Sequence, residues 1–492
     1  MNTDLTLLRL GCAVLLTSLL CATPTRAEAS VSLKDCRISD ASGIRSITAR
    51  CGTLTVPENY AEPDGRQIDL FVAVVPALSQ KPAATPFTAI AGGPGAASTE
   101  FYTAYAGAFS RIQRNHDIIL IDQRGTGRSG ALDCPVPEEL DAADWSLELV
   151  RDSTRECLAS IDADVRQYTT SVAVRDLDRL REALEYEQLN LYGSSYGTRV
   201  AQHYMRRYPE RTRTVILDGV LPAADSVGPG IAIDAQQALD RILARCAADA
   251  DCSEHFPDLA DRLNELHQRL RSGPVQVAMQ DPSSGEPDTF AFSEMDLVVA
   301  LRLMSYHPDS VALMPLLIDA AARGNMAPLA AQSRMAQQDL SEALSFGMHN
   351  AVVCTEDAPF YGNLDIDRTA LEETYIGATQ FDTLVEICKI WEQGVIDDDL
   401  KTTVTGTTPV LILSGSADPI TPPGNGERVA DALENALHIV GNGQGHGVAA
   451  VGCMPQLMAD FVANASVDGL DPSCMDKQGP SPFFVNFSGP TP

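Results

Sequence analysis

Positive charge is in short supply: 36 Lys and Arg stand against 66 Asp and Glu, a formal net charge of −30. A surface so acidic repels a polyanion over most of its area, and this excludes nucleic acid as a partner. Low-complexity tracts are missing and the apolar content is an ordinary 45%, so a disordered chain is excluded as well. Beyond the first thirty residues no run is long and apolar enough to span a membrane. C-x-x-C pairs, His/Cys clusters with zinc-ligand spacing and internal repeats are all lacking, and neither a metal nor a cofactor is expected. The chain has 492 residues, whereas single cores stop growing at roughly 250–300. One large domain with a sizeable insertion or a second domain is therefore expected.

The apolar run Leu10 to Ala22 is too short to span a bilayer, and the small-residue sites Thr25-Arg26-Ala27 and Ala27-Glu28-Ala29 follow it. This reads as a signal peptide over 1–29 and export to the periplasm or the exterior. Cys21 is no lipid anchor, since bulky Leu20 precedes it where a small residue is needed. Ten cysteines remain, an even number that favours disulfides in an oxidising compartment. Their spacing points to pairing between sequence neighbours: Cys36 with Cys51, Cys134 with Cys157, Cys246 with Cys252, Cys354 with Cys388, Cys453 with Cys474.

Three regions follow the signal. From 30 to 222, apolar β-branched runs alternate with helical patterns; Ile68–Val75, Phe87–Ala91, Asp117–Ile121, Leu189–Tyr192 and Thr214–Leu217 read as strands. Ser171 is placed to cap a helix carrying Val174, Leu177, Leu180 and Leu184 on one face. From 223 to 405 the spacing turns helical, as in Ala238–Leu243 and Leu259–Leu270, and reads as an insertion. From 406 to 492 strands return at Val410–Leu413 and Leu437–Val440, and a Gly/Pro-rich tail from Asp471 is expected to wrap the surface. The alternation gives an α/β fold with a mostly parallel central sheet and a large helical cap insertion.

The chemistry starts at Gly193-Ser194-Ser195-Tyr196-Gly197, a G-x-S-x-G pattern centred on Ser195 between an apolar strand and a helical segment. A strand turning sharply into a helix leaves no room for side chains beside a strained serine, hence the glycines. Ser194 lacks those flanking glycines. A serine hydroxyl needs a base and a carboxylate to orient it. His446 lies in the glycine-rich loop Gly441 to Gly447, after a late strand, whereas His438 opens that strand and reads as a packing residue. Asp418 sits just past the carboxyl end of the strand Val410–Leu413, where α/β sheets place functional groups. Gly92-Gly93-Pro94-Gly95, after an early strand, lets backbone N–H groups approach a ligand, so the N–H groups of Gly93 and Tyr196 are expected to form an oxyanion hole.

Gly92-Gly93-Pro94-Gly95, Asp122-Gln123-Arg124-Gly125-Thr126-Gly127-Arg128-Ser129 and Gly193-Ser194-Ser195-Tyr196-Gly197 stand in the order found in proline iminopeptidases and tripeptidyl aminopeptidases. The chain resembles that family over about residues 50–460, with Asp418 and His446 at its remaining triad positions. Ala91 stands where proline iminopeptidases have His, which moves the resemblance toward the secreted tripeptidyl aminopeptidase-like branch. The resemblance implies an α/β-hydrolase core under a helical cap that admits free peptide N-termini.

Gly125-Thr126-Gly127-Arg128-Ser129-Gly130 also matches the dinucleotide pattern G-x-G-x-x-G, but Ala131 to Pro137 cannot open the helix it requires. Asp122 and Arg124 are expected to form a structural ion pair beneath the site. In the insertion, Glu356 and Asp357 follow the apolar stretch Ala351–Cys354. An exopeptidase must hold a substrate ammonium, and these carboxylates are the expected anchor, Glu356 first. The reading is a secreted serine aminopeptidase acting on peptides with a free N-terminus. The alternatives are a carboxylesterase with the same triad and a non-catalytic binding protein on a hydrolase fold.

Overall fold

Strands buried on both faces read as unbroken apolar runs, and the centre of the molecule is made of them. In β3 (Gln67–Val75), Leu70, Val72 and Val74 enter one core while Phe71, Ala73 and Val75 enter another. The computed structural model describes residues 31–134 and 146–490; the expected signal, 1–29, lies outside them. Before β3 come β1 (Lys34–Ser39) and β2 (Ser46–Pro57). After it come β4 (Phe87–Ile90), β5 (Ile118–Ile121), β6 (Leu189–Ser194) and β7 (Thr212–Asp218). A separate hairpin, β8 (Val275–Gln280) and β9 (Pro287–Phe292), precedes β10 (Val410–Gly415) and β11 (Ala436–Gly441).

Among the described residues nine strands form one sheet in the order β1-β2-β3-β5-β4-β6-β7-β10-β11. The pairings from β5 through β11 are parallel, while β1, β2 and β3 join antiparallel. All seven expected strands are present; β1, β2 and the hairpin were not expected. Helices Ser98–Gln113 and Met454–Asn464 cover one face through Tyr102, Phe109, Leu457 and Phe461. Helices Thr170–Ala183 and Tyr196–Arg207 cover the other through Val174, Leu177, Leu180, Val200 and Tyr204. The capping expectation needs correction. The first of these two helices begins at Thr170 with Thr169 at its N-cap, and the Ser171 hydroxyl instead accepts the Asp397 N–H at 2.9 Å.

Between β7 and β10 the chain builds a second core. Helices Pro229–Ala248, Leu259–Arg271, Glu294–Met304, Pro308–Ala322 and Ala327–Ala343 pack Leu239, Leu263, Leu266, Leu301, Leu317 and Leu329 together, with Val277 and Phe292 of the hairpin. Helix Phe346–Glu356 departs from this unit: Met348, Ala351, Val352 and Cys354 pack into the sheet's core. The tail leaves the sheet and crosses to the cap. Gly479 accepts from Gln444 beside His446, the Phe483 ring lies 3.9 Å beneath the Arg245 guanidinium, and Phe484 donates to the Ala312 carbonyl at 2.9 Å. The five disulfides are the five sequence-neighbour pairs expected. Among the described residues no helix is long and apolar enough to cross a membrane.

Candidate active site

β6 ends at Ser194, and the helix Tyr196–Arg207 starts one residue after Ser195. Ser195 itself is held at φ 53°, ψ −121°, a left-handed conformation that a serine adopts only under constraint. The flanking glycines are needed for space. A Cβ on Gly193 would enter the Gly197 carbonyl, and one on Gly197 would stand 2.6 Å from the Ala91 oxygen. The serine N–H donates to the Asp218 carbonyl at the end of β7, 2.9 Å away.

The loops after β10 and β11 bring Asp418 and His446 together, with Nδ1 2.8 Å from Oδ2. Asp418 is fully buried and also accepts the N–H groups of Ile420 and Thr421 at 2.8 and 2.9 Å and the Thr421 hydroxyl at 2.7 Å. Burial alone would raise its pKa, but His446 and these donors hold it below the usual carboxylate range. Burial alone would likewise lower the imidazole's pKa; the Asp418 charge and hydrogen bond, with Asp218 adding, keep it above its ordinary value. An ionised carboxylate only accepts, so Nδ1 carries the proton and Nε2 is left bare to act as a base. The ring lies over Gly219, where a Cβ would come within 3.0 Å of Cε1. Ser195 and His446 thus flank the end of the same strand. His438 lies within β11 and sets Nε2 on the Ser414 hydroxyl at 2.9 Å.

Gly92 abuts the serine: a Cβ there would stand 2.9 Å from Ser195 Cβ. Gly93 follows it, covered by Leu344. Tyr196 opens the next helix, whose first N–H groups have no partner within the helix. Its own hydroxyl is engaged elsewhere, with Thr170 at 2.7 Å and Gln123 at 3.2 Å. From the cap, Tyr306 meets the His446 ring edge-on, centroids 5.2 Å apart, and its carbonyl accepts the His446 N–H at 2.8 Å.

Two expectations are corrected. Glu356 and Asp357 do not project toward a substrate amine: both are 0% exposed and committed to other partners. Glu356 accepts the Thr170 N–H and hydroxyl at 2.6 and 2.8 Å. Asp357 takes two bonds from Arg199, at 2.8 and 3.1 Å, one from Val227 N–H at 3.1 Å and one from Lys401 at 3.2 Å. Position after an apolar helix suggests reach into the site; a buried arginine one turn beyond the serine draws these acids away instead. Burial and the neighbouring Arg199 pull Lys401 down to about 8. Asp122 and Arg124 do not pair either. Arg124 is bidentate to Asp176 at 2.6 and 2.8 Å, whereas Asp122 accepts from Thr99 and the Arg128 N–H.

Thr421, Tyr306 and Asp218 were not found from the sequence. Asp218 carried a signal, since it ends a strand as Asp418 follows one; Tyr306 carried none, because only the tertiary fold brings the cap to the histidine. Among the described residues no group of three or more His, Cys, Asp or Glu is arranged to hold a metal ion.

A family model described as alpha/beta hydrolase fold matches residues 89–451. The chain is 27% identical over 441 residues to the serine protease Hip1 of Mycobacterium tuberculosis, covering 79% of this chain and 80% of that protein. It is 24% identical over 470 residues to the tripeptidyl aminopeptidase of Streptomyces coelicolor, covering 88% of this chain and 84% of that protein. It is also 30% identical over 261 residues to carboxylesterase B of Mycobacterium tuberculosis, a match to 48% of this chain and 49% of that protein.

Proposed function

The chain belongs to the alpha/beta hydrolase family, and from that premise we propose that it is an exported serine exopeptidase acting at free peptide N-termini. Ser195 attacks the peptide carbonyl, and the proton leaves Oγ for Nε2 of His446 while Asp418 holds the ring. The N–H groups of Gly93 and Tyr196 receive the developing oxyanion. His446 then protonates the leaving amine, and water cleaves the acyl-enzyme by the same route. The five disulfides suit an oxidising compartment outside the cytoplasm.

The observation that carries the reading is the roof over this apparatus. Leu344 lies against Gly93, Ser345 N–H donates to the Gly95 carbonyl at 3.0 Å, and Tyr306 packs on His446. A serine roofed by cap residues in this way suits a chain end better than a loop of folded protein. With Glu356 and Asp357 committed, we assign the substrate ammonium to Asp234 on the cap helix Pro229–Ala248, near enough to Asp418 to feel its charge. Burial, and then the nearby Asp418 charge, push its pKa up to about 6 against Arg241 and Arg428, and a bound cation would favour its ionised form.

The carboxylesterase reading uses the same groups and draws on the relative of that name. Hydrolysis of free and N-acetylated chromogenic peptides of one to four residues, beside short acyl esters, separates the two. We expect free-amine peptides to be preferred, and Asp234→Asn to lower their kcat/KM by about 10–10²-fold, the worth of one charge-assisted contact, while sparing esters. Equal cleavage of acetylated peptides, or a preference for esters, would overturn the exopeptidase reading.

A further inference from the structure

Asp218 has no role in the reaction just described, yet it joins the two halves of the reactive pair. It ends β7 and is 1% exposed. Every hydrogen-bond contact of its carboxylate is with a donor: the Tyr192 hydroxyl at 2.7 Å, the Val448 N–H at 2.9 and 3.1 Å, and the Ala449 N–H at 3.0 Å. Val448 and Ala449 lie two and three residues after His446 in the chain. At the other end of the same residue, the backbone carbonyl accepts the Ser195 N–H at 2.9 Å. The next residue, Gly219, forms the floor beneath the imidazole.

We propose that Asp218 is the positioning residue of the Ser195–His446 pair, pinning the histidine loop to the strand end that holds the serine and setting a second negative charge behind the imidazole. The proposal rests on Ser195 and His446 being nucleophile and base. As the Ser195 O–H bond breaks and Oγ bonds to the substrate carbonyl carbon, the proton passes to Nε2 and the ring becomes a cation. Asp418 meets that cation at Nδ1, and Asp218 stabilises it from the loop side. The groups facing the ring are Asp418 and Thr421 from the acid loop, Asp218 from β7, and Tyr306 and His307 from the cap. Only the first and third of these are acids; burial pushes the Asp218 carboxyl up, against the Val448 and Ala449 N–H groups, the Tyr192 hydroxyl and His446, which favour its ionised form. Asp218 itself is faced by His446, Tyr192 and Tyr105.

The rate of Ser195 labelling by a fluorophosphonate, followed against pH, tests this without reference to any peptide or ester substrate. Asp218→Asn keeps the shape but removes the charge and turns an N–H group toward the donors. We expect it to slow labelling by about 10²-fold or more, within the range of general-base contributions, and to move the acid limb of the profile to lower pH. Tyr192→Phe keeps the charge and loosens the carboxylate; a slowing of about three- to tenfold is expected, the worth of one hydrogen bond, with the limb unmoved. A folded Asp218→Asn enzyme labelled at the parent's rate overturns the proposal. So does slower labelling with an unmoved limb, because a merely structural residue would give that result. If Asp218→Asn does not fold, Tyr192→Phe decides, and a parent-like rate overturns the proposal. A parent enzyme that is not labelled at Ser195 refutes the nucleophile assignment, and the proposal falls with it.

Discussion

Two clusters of buried acid border the helix Tyr196–Arg207, one at the serine that precedes it and one at Arg199, a turn further on. Asp418 and Glu356 are equally buried, at 0% exposure, and burial pushes both toward the neutral form. They end on opposite sides of their ordinary pKa. Asp418 is surrounded by His446, two backbone N–H groups and a hydroxyl, and its pKa falls. Glu356 also accepts an N–H and a hydroxyl, both from Thr170, but it has Arg199 only at 3.5 Å and Asp357 beside it as a like charge, so burial prevails and its pKa rises. Burial therefore does not decide what a carboxylate does. A titratable partner in direct contact suits a carboxylate to holding a base, whereas a permanent guanidinium shared between two acids makes a structural clamp.

The contrast breaks most sharply at Asp418. Asp418→Asn leaves the packing intact but lets the imidazole take the wrong tautomer, so a loss of about 10⁴-fold in kcat is expected, measured on whichever substrate the parent prefers. Arg199→Met comes next and should reverse the pattern. It strands two buried carboxylates, and urea unfolding should show a loss of about 3–5 kcal/mol, while kcat/KM per folded molecule stays near the parent's. Loss of activity without loss of stability would make Arg199 part of the reaction and erase the distinction.

Glu356→Gln has the smallest expected effect and sharpens the comparison through pH. Asp418, with its folded pKa lowered, contributes stability that is present above its unfolded pKa and lost as pH falls through the folded value. Glu356, with its folded pKa raised, contributes stability that is present below its unfolded pKa and lost as pH rises through the folded value. The destabilisation caused by Asp418→Asn should therefore be largest near neutrality and shrink in acid, whereas that of Glu356→Gln should be largest in acid and shrink toward neutrality. Unfolding at pH values on both sides of the carboxylate range checks the signs. Parallel slopes would show that the two clusters are one kind of site.

The serine elbow, Asp418 and His446 were legible because each is signalled locally, by glycines that a tight turn demands or by position just past an apolar strand. The strands from Ile68 onward were legible for the same reason, since residues such as Ile118–Ile121 are buried on both faces. β2 was not, because Arg50 and Gly52 interrupt its alternation and one end pairs only with the edge strand. The pairing of Arg124 with Asp176 and of Arg199 with Asp357 spans 52 and 158 residues, and no local pattern selects the partner of a buried arginine. Tyr306 and Asp218 come to the histidine from positions 140 and 228 residues away. What the sequence hid was the set of contacts that the cap and the strand ends make only once the chain has closed.

The disulfides carry a consequence for how the chain is made. Numbered in order along the described residues, the ten cysteines pair first with second, third with fourth, and so on to the end, with separations of 15, 23, 6, 34 and 21 residues. A chain threaded amino-terminus first into an oxidising space presents each odd-numbered cysteine with its native partner as the next thiol to arrive. An oxidant that simply joins thiols in order of emergence would produce the native set. Export as proposed would then call on a thiol oxidase for maturation and leave little use for an isomerase that reshuffles wrong pairs.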